Sequence, residues 1–394
     1  MSTVSQGPRS ERIFTAQFVL CFVAHGLQAI AFNLYLPYPK LLNELGANDF
    51  VIGAAASLTG LAAVMARPSI ARAMDGVGRR QTILVGGALH VVATAMYLMI
   101  DRIGPMLVAT RLLHGVAEAM LFSAMFTFAA DYVPARRRTQ GLALFGVSGM
   151  LPIGIGPTAA NWLIANSGWP AVFVTASSLA ALSLALSFAL RDAPRDRVAT
   201  GASAGMLSVL RQRELVPIWF LGATFATVLT AFFVFVPRFV QDTGIGSDAQ
   251  FFQLYMLAAL LLRIGFSWLP DRIGAHRTLT PALLALVLGL LVMARADEAS
   301  DVALSGFLCG LGHGFAFPIL SGMVVNRVSD ASRGTALAIF TGLFDLGMLV
   351  GSSCFGAIVE WTSFSVLYAL GAILLASALA TFLRWDARVV PRRR

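Results

Sequence analysis

The sequence predicts an all-α integral membrane protein with twelve transmembrane helices in two pseudo-symmetric six-helix bundles. Apolar residues make up 57% of the chain and charged residues only 12%, whereas soluble domains carry roughly 25% charged residues. Twelve apolar runs approach the length of about 20 residues that a helix needs to cross a bilayer. A short segment also recurs 196 residues later, and its matched pairs are Arg67 with Arg263, Asp75 with Asp271 and Gly78 with Gly274.

The apolar runs and the polar stretches between them define the predicted elements. We place the helices at approximately 14–38, 50–74, 81–100, 105–131, 138–165, 170–190, 215–240, 249–269, 278–295, 302–326, 334–359 and 363–384. The first run is too long, and is followed by too many others, to be a cleaved signal peptide. The one long polar stretch predicts three regions: an N-terminal bundle at 1–190, a cytoplasmic linker at 191–213 and a C-terminal bundle at 214–394.

The distribution of basic residues predicts the orientation. Of the 29 Lys and Arg residues, 22 fall in loops on the side that holds both termini, four on the other side and three within helices. The positive-inside rule therefore places both termini in the cytoplasm. The preference for Arg over Lys is typical of a GC-rich bacterial genome, and so favours the inner membrane. Basic residues spread over loops exclude a nucleic-acid interface, and the three cysteines show no disulfide or zinc pattern.

The duplicated segment resembles a known loop signature. RPSIARAMDGVGRR after the second helix is similar to the signature of the major facilitator superfamily, a glycine, three residues and then D-R-x-G-R-R, with Ala71 and Gly76 as departures. The second copy, SWLPDRIGAHR, has Ser267 at the first position. The resemblance implies a transporter whose cytoplasmic side is latched by Arg67, Asp75, Gly78, Arg79, Arg80, Asp271, Arg272 and Gly274. Alternatively, these charges only fix the topology and cap helix ends, where anions gain about 0.3–1 kcal/mol.

The fifth helix carries a second resemblance. Its Gly156-Pro157 pair is similar to the glycine-rich motif in helix five of the proton-driven efflux antiporters, although Pro152, Ala160 and Asn161 depart from that motif. Glycine and proline permit close helix contact and a bend. The resemblance favours export, and uptake by proton symport is the alternative.

The fourth helix places ionisable residues inside the membrane. Arg111, His114 and Glu118 share one helical face, and at 1.5 Å per residue Glu118 lies about 20 Å from the outer end. An ionisable group at this depth is a functional candidate by default. We interpret Glu118 as a proton-coupling carboxylate held by Arg111; the alternative is a structural ion pair. The match between the two halves places His313 at the depth of Glu118.

Further candidates come from the other helices. Asp345 lies mid-membrane in the eleventh helix and is a second coupling candidate, alongside His313 and Arg111. The resemblance implies that helices one, four, seven and ten line a central cavity, which gives as substrate-cavity candidates His25, Gln28, Asn33, His114, Phe122, Phe232 and Phe315. Aromatic residues with scattered polar groups suit a small amphipathic organic molecule. Spacing gives no support for a zinc site from His25, His114, Glu118 and His313, and His90 is interpreted as structural.

These observations predict a secondary transporter and not an enzyme. The sequence has no GxxxxGK[ST] nucleotide-binding loop, so transport is expected to use a gradient. We expect no cofactor and no metal. The expected partners are a small-molecule substrate, protons and the lipid bilayer, and the chain is expected to act as a monomer.

Overall fold

The computed structural model describes residues 13–134, 138–193, 206–329 and 332–389. These ranges contain seventeen α-helices and no β-strand. Twelve are long: α1 (Ala16–Asn33), α3 (Asp49–Gly76), α4 (Arg79–Met96), α5 (Pro105–Tyr132), α7 (Val147–Ser167), α8 (Trp169–Ser187), α10 (Val216–Phe233), α12 (Asp248–Gly265), α14 (Ala275–Ala294), α15 (Ala299–Asn326), α16 (Arg333–Trp361) and α17 (Phe364–Val389). Five are short: α2 (Tyr38–Glu44), α6 (Arg138–Phe145), α9 (Met206–Leu210), α11 (Phe235–Thr243) and α13 (Leu269–Ile273).

The twelve long helices confirm the predicted fold class. Within the described ranges, ten helices are long and apolar enough to cross a membrane. The other two are α7, which contains two prolines, and α12, which contains Asp248, two glutamines and Arg263. The predicted helix at 215–240 is divided at Val234 into α10 and α11. Pro237 follows three residues later, and proline removes a helical hydrogen bond and clashes with the preceding turn.

The long helices pack as two groups of six. In the first group, α5 contacts α1, α3 and α4, and α8 contacts α1 and α4. In the second group, α15 contacts α12 and α14, and α10 contacts α16 and α17. The groups meet along two seams, α3 with α16 and α7 with α12, and the short helices α2 and α11 also meet. Because the duplication matches α3 to α12 and α7 to α16, the two seams are related by the same pseudo-symmetry.

The outer surface is apolar. Among the exposed side chains are Trp162 at 65%, Phe188 at 60% and Ile373 at 59% of their full accessibility. Soluble monomers rarely expose large contiguous apolar patches, whereas lipid tails solvate such a surface. The exposed apolar residues are therefore consistent with twelve helices surrounded by lipid.

Matched glycines set the closest helix crossings in each bundle. A β-carbon at Gly115 on α5 would clash with the Thr59 carbonyl on α3, and a β-carbon at Gly310 on α15 would clash with the Tyr255 carbonyl on α12. Gly310 lies 195 residues after Gly115, and Tyr255 lies 196 residues after Thr59. Backbone meets backbone at both crossings, as is common where small residues line membrane helix interfaces.

We expect Gly115→Ala and Gly310→Ala each to lower stability by about 1–3 kcal/mol, because overpacking a close contact forces the backbones apart. Thermal unfolding of the detergent-purified protein measures this effect. Gly265→Ala is the matched control, since a β-carbon there would meet no atom of the described residues within 4 Å. Equal melting temperatures for all three variants would contradict the close crossings.

Gly78 and Gly274, the matched glycines of the duplicated loop signature, have a backbone conformation that other residues rarely adopt. Gly78 immediately precedes α4 with φ of 108°, and Gly274 immediately precedes α14 with φ of 99°. Only glycine reaches this region without steric cost. The recurrence of these glycines in the sequence therefore reflects the same sharp turn into the third helix of each bundle.

Candidate functional site

A polar cluster lies at the middle of the first bundle. Glu118 is halfway along the 28-residue α5, and its side chain is 19% exposed. The Gln28 amide on α1 donates a hydrogen bond to Oε1 of Glu118. Nε2 of His90 on α4 lies 3.7 Å from the same oxygen. Three helices thus converge on one carboxylate near the middle of the membrane.

His114 extends the cluster toward the end of the bundle where α4 ends. Its ring stacks on that of His90 with 5.2 Å between centroids, and its Nδ1 lies 3.0 Å from the Tyr97 hydroxyl. That hydroxyl also accepts a hydrogen bond from Nη1 of Arg111 at 3.2 Å. The Nε2 atoms of His90 and His114 are buried and have no hydrogen-bond partner among the described residues. Buried polar atoms normally find partners, so these two nitrogens require an explanation.

The structure gives Arg111 other partners than the expected Glu118. Nε of Arg111 donates to the Ala55 carbonyl on α3 at 3.1 Å, and its guanidinium lies 5.8 Å from the Tyr38 ring centroid. Residues 111 and 118 are two turns apart, a rise of about 10 Å. Arg111 therefore ties α5 to α3, and the contacts to Glu118 come from Gln28 and His90.

Sequence reasoning missed His90 as a partner of Glu118. A usable signal was present, because His90, Thr94 and Tyr97 are spaced by four and three residues. This spacing places Tyr97, just after the end of α4, on the same side as His90. That face packs on α5, and both His90 and Tyr97 contact His114 on it.

The same cluster contains the donor atoms that could hold a metal ion. Among the described residues, His90, His114 and Glu118 form a group whose donor atoms all lie within 4.8 Å of one another. The set considered from sequence is not assembled, because His25 bonds Ser148 at 2.7 Å and His313 lies in the other bundle. The Glu118 oxygen nearest His90 already accepts the Gln28 amide. We assign no metal to this cluster.

Asp345 and Arg67 form an ion pair across the seam between the bundles. Nε of Arg67 on α3 lies 2.5 Å from Oδ2 of Asp345 on α16, and Nη1 donates to the Thr341 hydroxyl at 3.0 Å. The two charged side chains are 19% and 20% exposed. A residue predicted to act in gating and one predicted to act in coupling are therefore direct partners.

His313 occupies a different environment from Glu118 despite their matched depth. It hydrogen-bonds the Tyr255 hydroxyl within the second bundle, and its ring meets that of Phe225 at 5.5 Å between centroids. Nearby, Arg263 donates to the Gly314 carbonyl at 3.2 Å. These contacts tie α15 to α10 and α12.

Several cavity candidates on α1 are engaged in helix packing. His25 hydrogen-bonds Ser148 on α7, and the Asn33 amide donates to the Ala29 carbonyl at 2.8 Å. A β-carbon at Gly156 would lie 2.6 Å from the Asn33 backbone. Helix α7 remains continuous through Pro157, and the helical break lies before α7, at Gly146. Gly156 thus provides the close approach of α7 to α1.

The three phenylalanine candidates differ in accessibility. Phe122, one turn after Glu118 on α5, is 39% exposed, whereas Phe232 and Phe315 are 1% and 5% exposed. Phe232 packs among Phe233, Phe251 and Tyr255. Phe122 is therefore the accessible member of this set.

The arginines of the loop signature make local contacts at the ends of their helices. Nε of Arg79 lies 3.1 Å from Asp131 on α5, and Nη2 of Arg80 donates to the Phe188 carbonyl at 3.0 Å. In the second copy, the Arg272 guanidinium lies 5.6 Å from the Trp268 ring centroid. The side chains of Asp75 and Asp271 lie outside the described part of the chain, so their latch role stays a prediction.

A second group of charged contacts joins the bundles at the distal end, which we define as the end opposite the chain termini. Nζ of Lys40 lies 2.8 Å from Asp248, which is 2% exposed, and the Asn161 amide donates to the same carboxylate at 2.7 Å. Nε of Arg238 lies 3.0 Å from Asp49. This distal cluster (Lys40, Asp49, Asn161, Arg238 and Asp248) was not predicted from the sequence. It holds the distal end closed.

Backbone contact reinforces the distal closure. A β-carbon at Gly53 on α3 would clash with the Ser352 carbonyl and lie 3.0 Å from Cα of Gly356 on α16. A β-carbon at Gly356 would lie 2.7 Å from the Asp49 carbonyl. The α3–α16 seam is therefore as close at this end as two helix backbones can come.

Comparison with known proteins identifies the family. The sequence profile of the Major Facilitator Superfamily matches residues 18–299 and 254–394. The chain is 21% identical to the staphylopine export protein of Staphylococcus aureus, covering 94% of this chain and 96% of that protein. It is 25% identical to the gentisate transporter of Corynebacterium glutamicum, covering 80% of this chain and 75% of that protein.

A solved structure shares the architecture. The human organic anion transporter MFSD10 superimposes with a TM-score of 0.72 at 18% identity, covering 96% of this chain and 100% of that one. At this identity the likeness concerns the fold. The family profile spans nearly the whole chain, and the chain therefore belongs to the Major Facilitator Superfamily and is a multi-pass membrane transporter, not an enzyme.

Proposed function

We propose that this chain is a proton-coupled exporter of a small amphipathic organic molecule that works by alternating access. The observation that carries the proposal is Glu118, a carboxylate halfway along α5 that receives a hydrogen bond from Gln28 and remains 19% exposed. A buried carboxylate is costly when charged and uncompensated. Its neutral form suits the closed bundle, and its charged form requires solvent or a partner.

The ion pair between Arg67 and Asp345 links protonation to the movement of the bundles. It crosses the α3–α16 seam, and protonation of Asp345 removes the charge that holds Arg67. A neutral Asp345 therefore weakens the seam. In this mechanism Glu118 and Asp345 exchange protons with opposite sides of the membrane as the bundles rock.

The proposed direction of transport and the proposed orientation of the chain in the membrane rest on the sequence and on the relatives. With both termini in the cytoplasm, the distal cluster faces the periplasm of a bacterial inner membrane, and the structure corresponds to the state closed on that side. The Gly156-Pro157 motif and the likeness to the staphylopine export protein support export. Proton-coupled uptake is the second candidate. We propose that one chain is the transporting unit.

The proposal is tested with two chemically different probes. Ethidium represents amphipathic drugs, and gentisate represents the aromatic acid named for a relative. Cells that overproduce the protein are expected to release at least one preloaded probe faster than cells with an empty vector, and a protonophore is expected to abolish the difference. Faster uptake of a probe from the medium, with no faster release, would favour the second candidate.

We expect Asp345→Asn to abolish transport driven by a pH gradient, because the variant cannot exchange a proton.

Arg67→Gln and Asp345→Asn are each expected to destabilise the protein by about 1–3 kcal/mol, since each leaves one partly buried group without its partner. The double variant is expected to be more stable than the sum of the two single effects predicts. Thermal unfolding of the three variants measures this coupling, and additive effects would contradict the ion pair.

A further inference from the structure

The buried histidines next to Glu118 have chemistry that the proposed function leaves unused. Their exposed fractions are 1% for His90 and 0% for His114, and the Nε2 atom of each has no partner among the described residues. His90 Nε2 lies 3.7 Å from Glu118. Packing alone does not explain these two histidines, because apolar side chains would fill the same space without leaving buried polar atoms that lack a hydrogen bond.

The cluster places four side chains that can carry a proton next to one another. The Tyr97 hydroxyl meets Nδ1 of His114 at 3.0 Å, and donor atoms of His114, His90 and Glu118 lie within 4.8 Å of one another. Two hydrogen bonds of about 2.8 Å through a single water span such a separation. His114 can accept a proton at one ring nitrogen and release one from the other, and His90 can accept and then release a proton at Nε2, which faces Glu118. The series leads from the end of α4 to the middle of the membrane.

We propose that His90 and His114 relay protons between Tyr97 and Glu118 through the interior of the first bundle, separate from the space between the bundles. The inference rests on the proposed coupling at Glu118. Each proton that leaves a histidine ring is replaced by one taken up at the same ring. Neither histidine therefore changes its net protonation over a cycle. Tyr97 is 0% exposed in this structure, and it replaces each proton that it gives to His114 with one from water admitted at the end of α4, so Glu118 gains one proton for each proton that enters there.

The surroundings favour passage of a proton over its retention on the histidines. Arg111 is the fixed cation that faces the relay, through its hydrogen bond to Tyr97. Tyr35 packs its ring 5.3 Å from that of His114, and Tyr38 packs 5.0 Å from the ring of Tyr97. Like charges repel, so a proton resides more favourably on the Glu118 carboxylate than beside Arg111.

The relay can be tested directly by nitrogen NMR of histidine-labelled protein in detergent, because the chain contains only five histidines. We expect the His90 and His114 resonances to shift together over one pH range, and we expect Glu118→Gln to change that range. His25, which bonds Ser148, is the internal control and is expected to be unaffected. Identical His90 and His114 pH profiles in wild type and Glu118→Gln would overturn the relay.

Transport separates failure of the relay from failure of the proposed function. With whichever of ethidium and gentisate the wild type moves, His90→Gln and His114→Gln are expected to slow pH-driven accumulation about tenfold. Exchange of labelled for unlabelled probe at equal pH is expected to be unchanged in His90→Gln, which a folding defect would not permit. If Glu118→Gln still accumulates the probe, the proposed coupling at Glu118 fails. If Glu118→Gln fails while both histidine variants accumulate it at the wild-type rate, only the relay fails.

Discussion

Glu118→Gln is expected to abolish accumulation of the transported probe against its gradient while leaving downhill movement intact. The amide matches the neutral carboxylic acid in shape and can still hydrogen-bond Gln28, but it cannot release a proton. One pH unit is worth about 1.4 kcal/mol per proton, or an about tenfold gradient of the exchanged compound. In proteoliposomes whose lumen is one pH unit more acidic than the medium, the wild type is expected to approach an about tenfold higher probe concentration inside than outside if one proton is exchanged. The variant is expected to stop near equal concentrations on the two sides.

Glu214→Gln is the matched control for this experiment. Glu214 is an exposed carboxylate just before α10, far along the chain from the polar cluster, so its neutralisation is expected to leave accumulation unchanged. Full accumulation by Glu118→Gln would remove this residue from the coupling mechanism. Loss of both accumulation and downhill movement would instead indicate that Glu118 is required for substrate binding or folding.

Gly53→Leu is expected to prevent closure of the distal end. The nearest described atoms are those of the Ser352 carbonyl and the Gly356 backbone, and backbone cannot rotate away as a side chain can. A leucine there can be accommodated only if α3 and α16 separate. Overpacking of this kind costs about 1–3 kcal/mol, occasionally more, and that free energy shifts a two-state population about 5- to 150-fold. Transport is expected to fall by a similar factor, since alternating access requires both states.

Spin labels on the distal short helices measure the closure itself. Asn43 on α2 and Asp242 on α11 are suitable positions, because these two helices belong to different bundles and contact each other. The wild type is expected to show a short distance between the labels and Gly53→Leu a longer one. Gly265→Leu is the control, with nothing within 4 Å of its β-carbon. An unchanged distance in Gly53→Leu would show that the seam can absorb the side chain without opening.

The fold could be predicted from the sequence because short stretches of sequence indicate it. Apolar runs of membrane length, the motif glycines Gly78 and Gly274, and the repeat of the Arg67 segment each follow from a few neighbouring residues. The exact helix ends were less accessible. Pro237 is a local signal for the break at Val234, but the long apolar run around it hid that break, and the apolar run at 138–165 likewise hid the break at Gly146.

The candidate site was only partly accessible from sequence. The depth of Glu118 follows from counting along one helix, and its charge in an apolar run marks it as unusual. Its partners do not follow, because Gln28 and His90 come from other helices and the nearest cation on its own helical face, Arg111, is engaged elsewhere. The same holds for Arg67 and Asp345, which are 278 residues apart and meet only across a seam.

That separation has a consequence during synthesis of the chain. Among the helices of the first bundle, α1, α4, α5 and α8 find their main partners within residues 13–193. At about 5–20 residues per second, the ribosome needs roughly 15–55 s to add the residues between Arg67 and Asp345. During that interval the Arg67 guanidinium lies in the bilayer without Asp345 as its counter-ion. The partially made protein should therefore be a preferred target for membrane quality-control proteases until α16 is inserted.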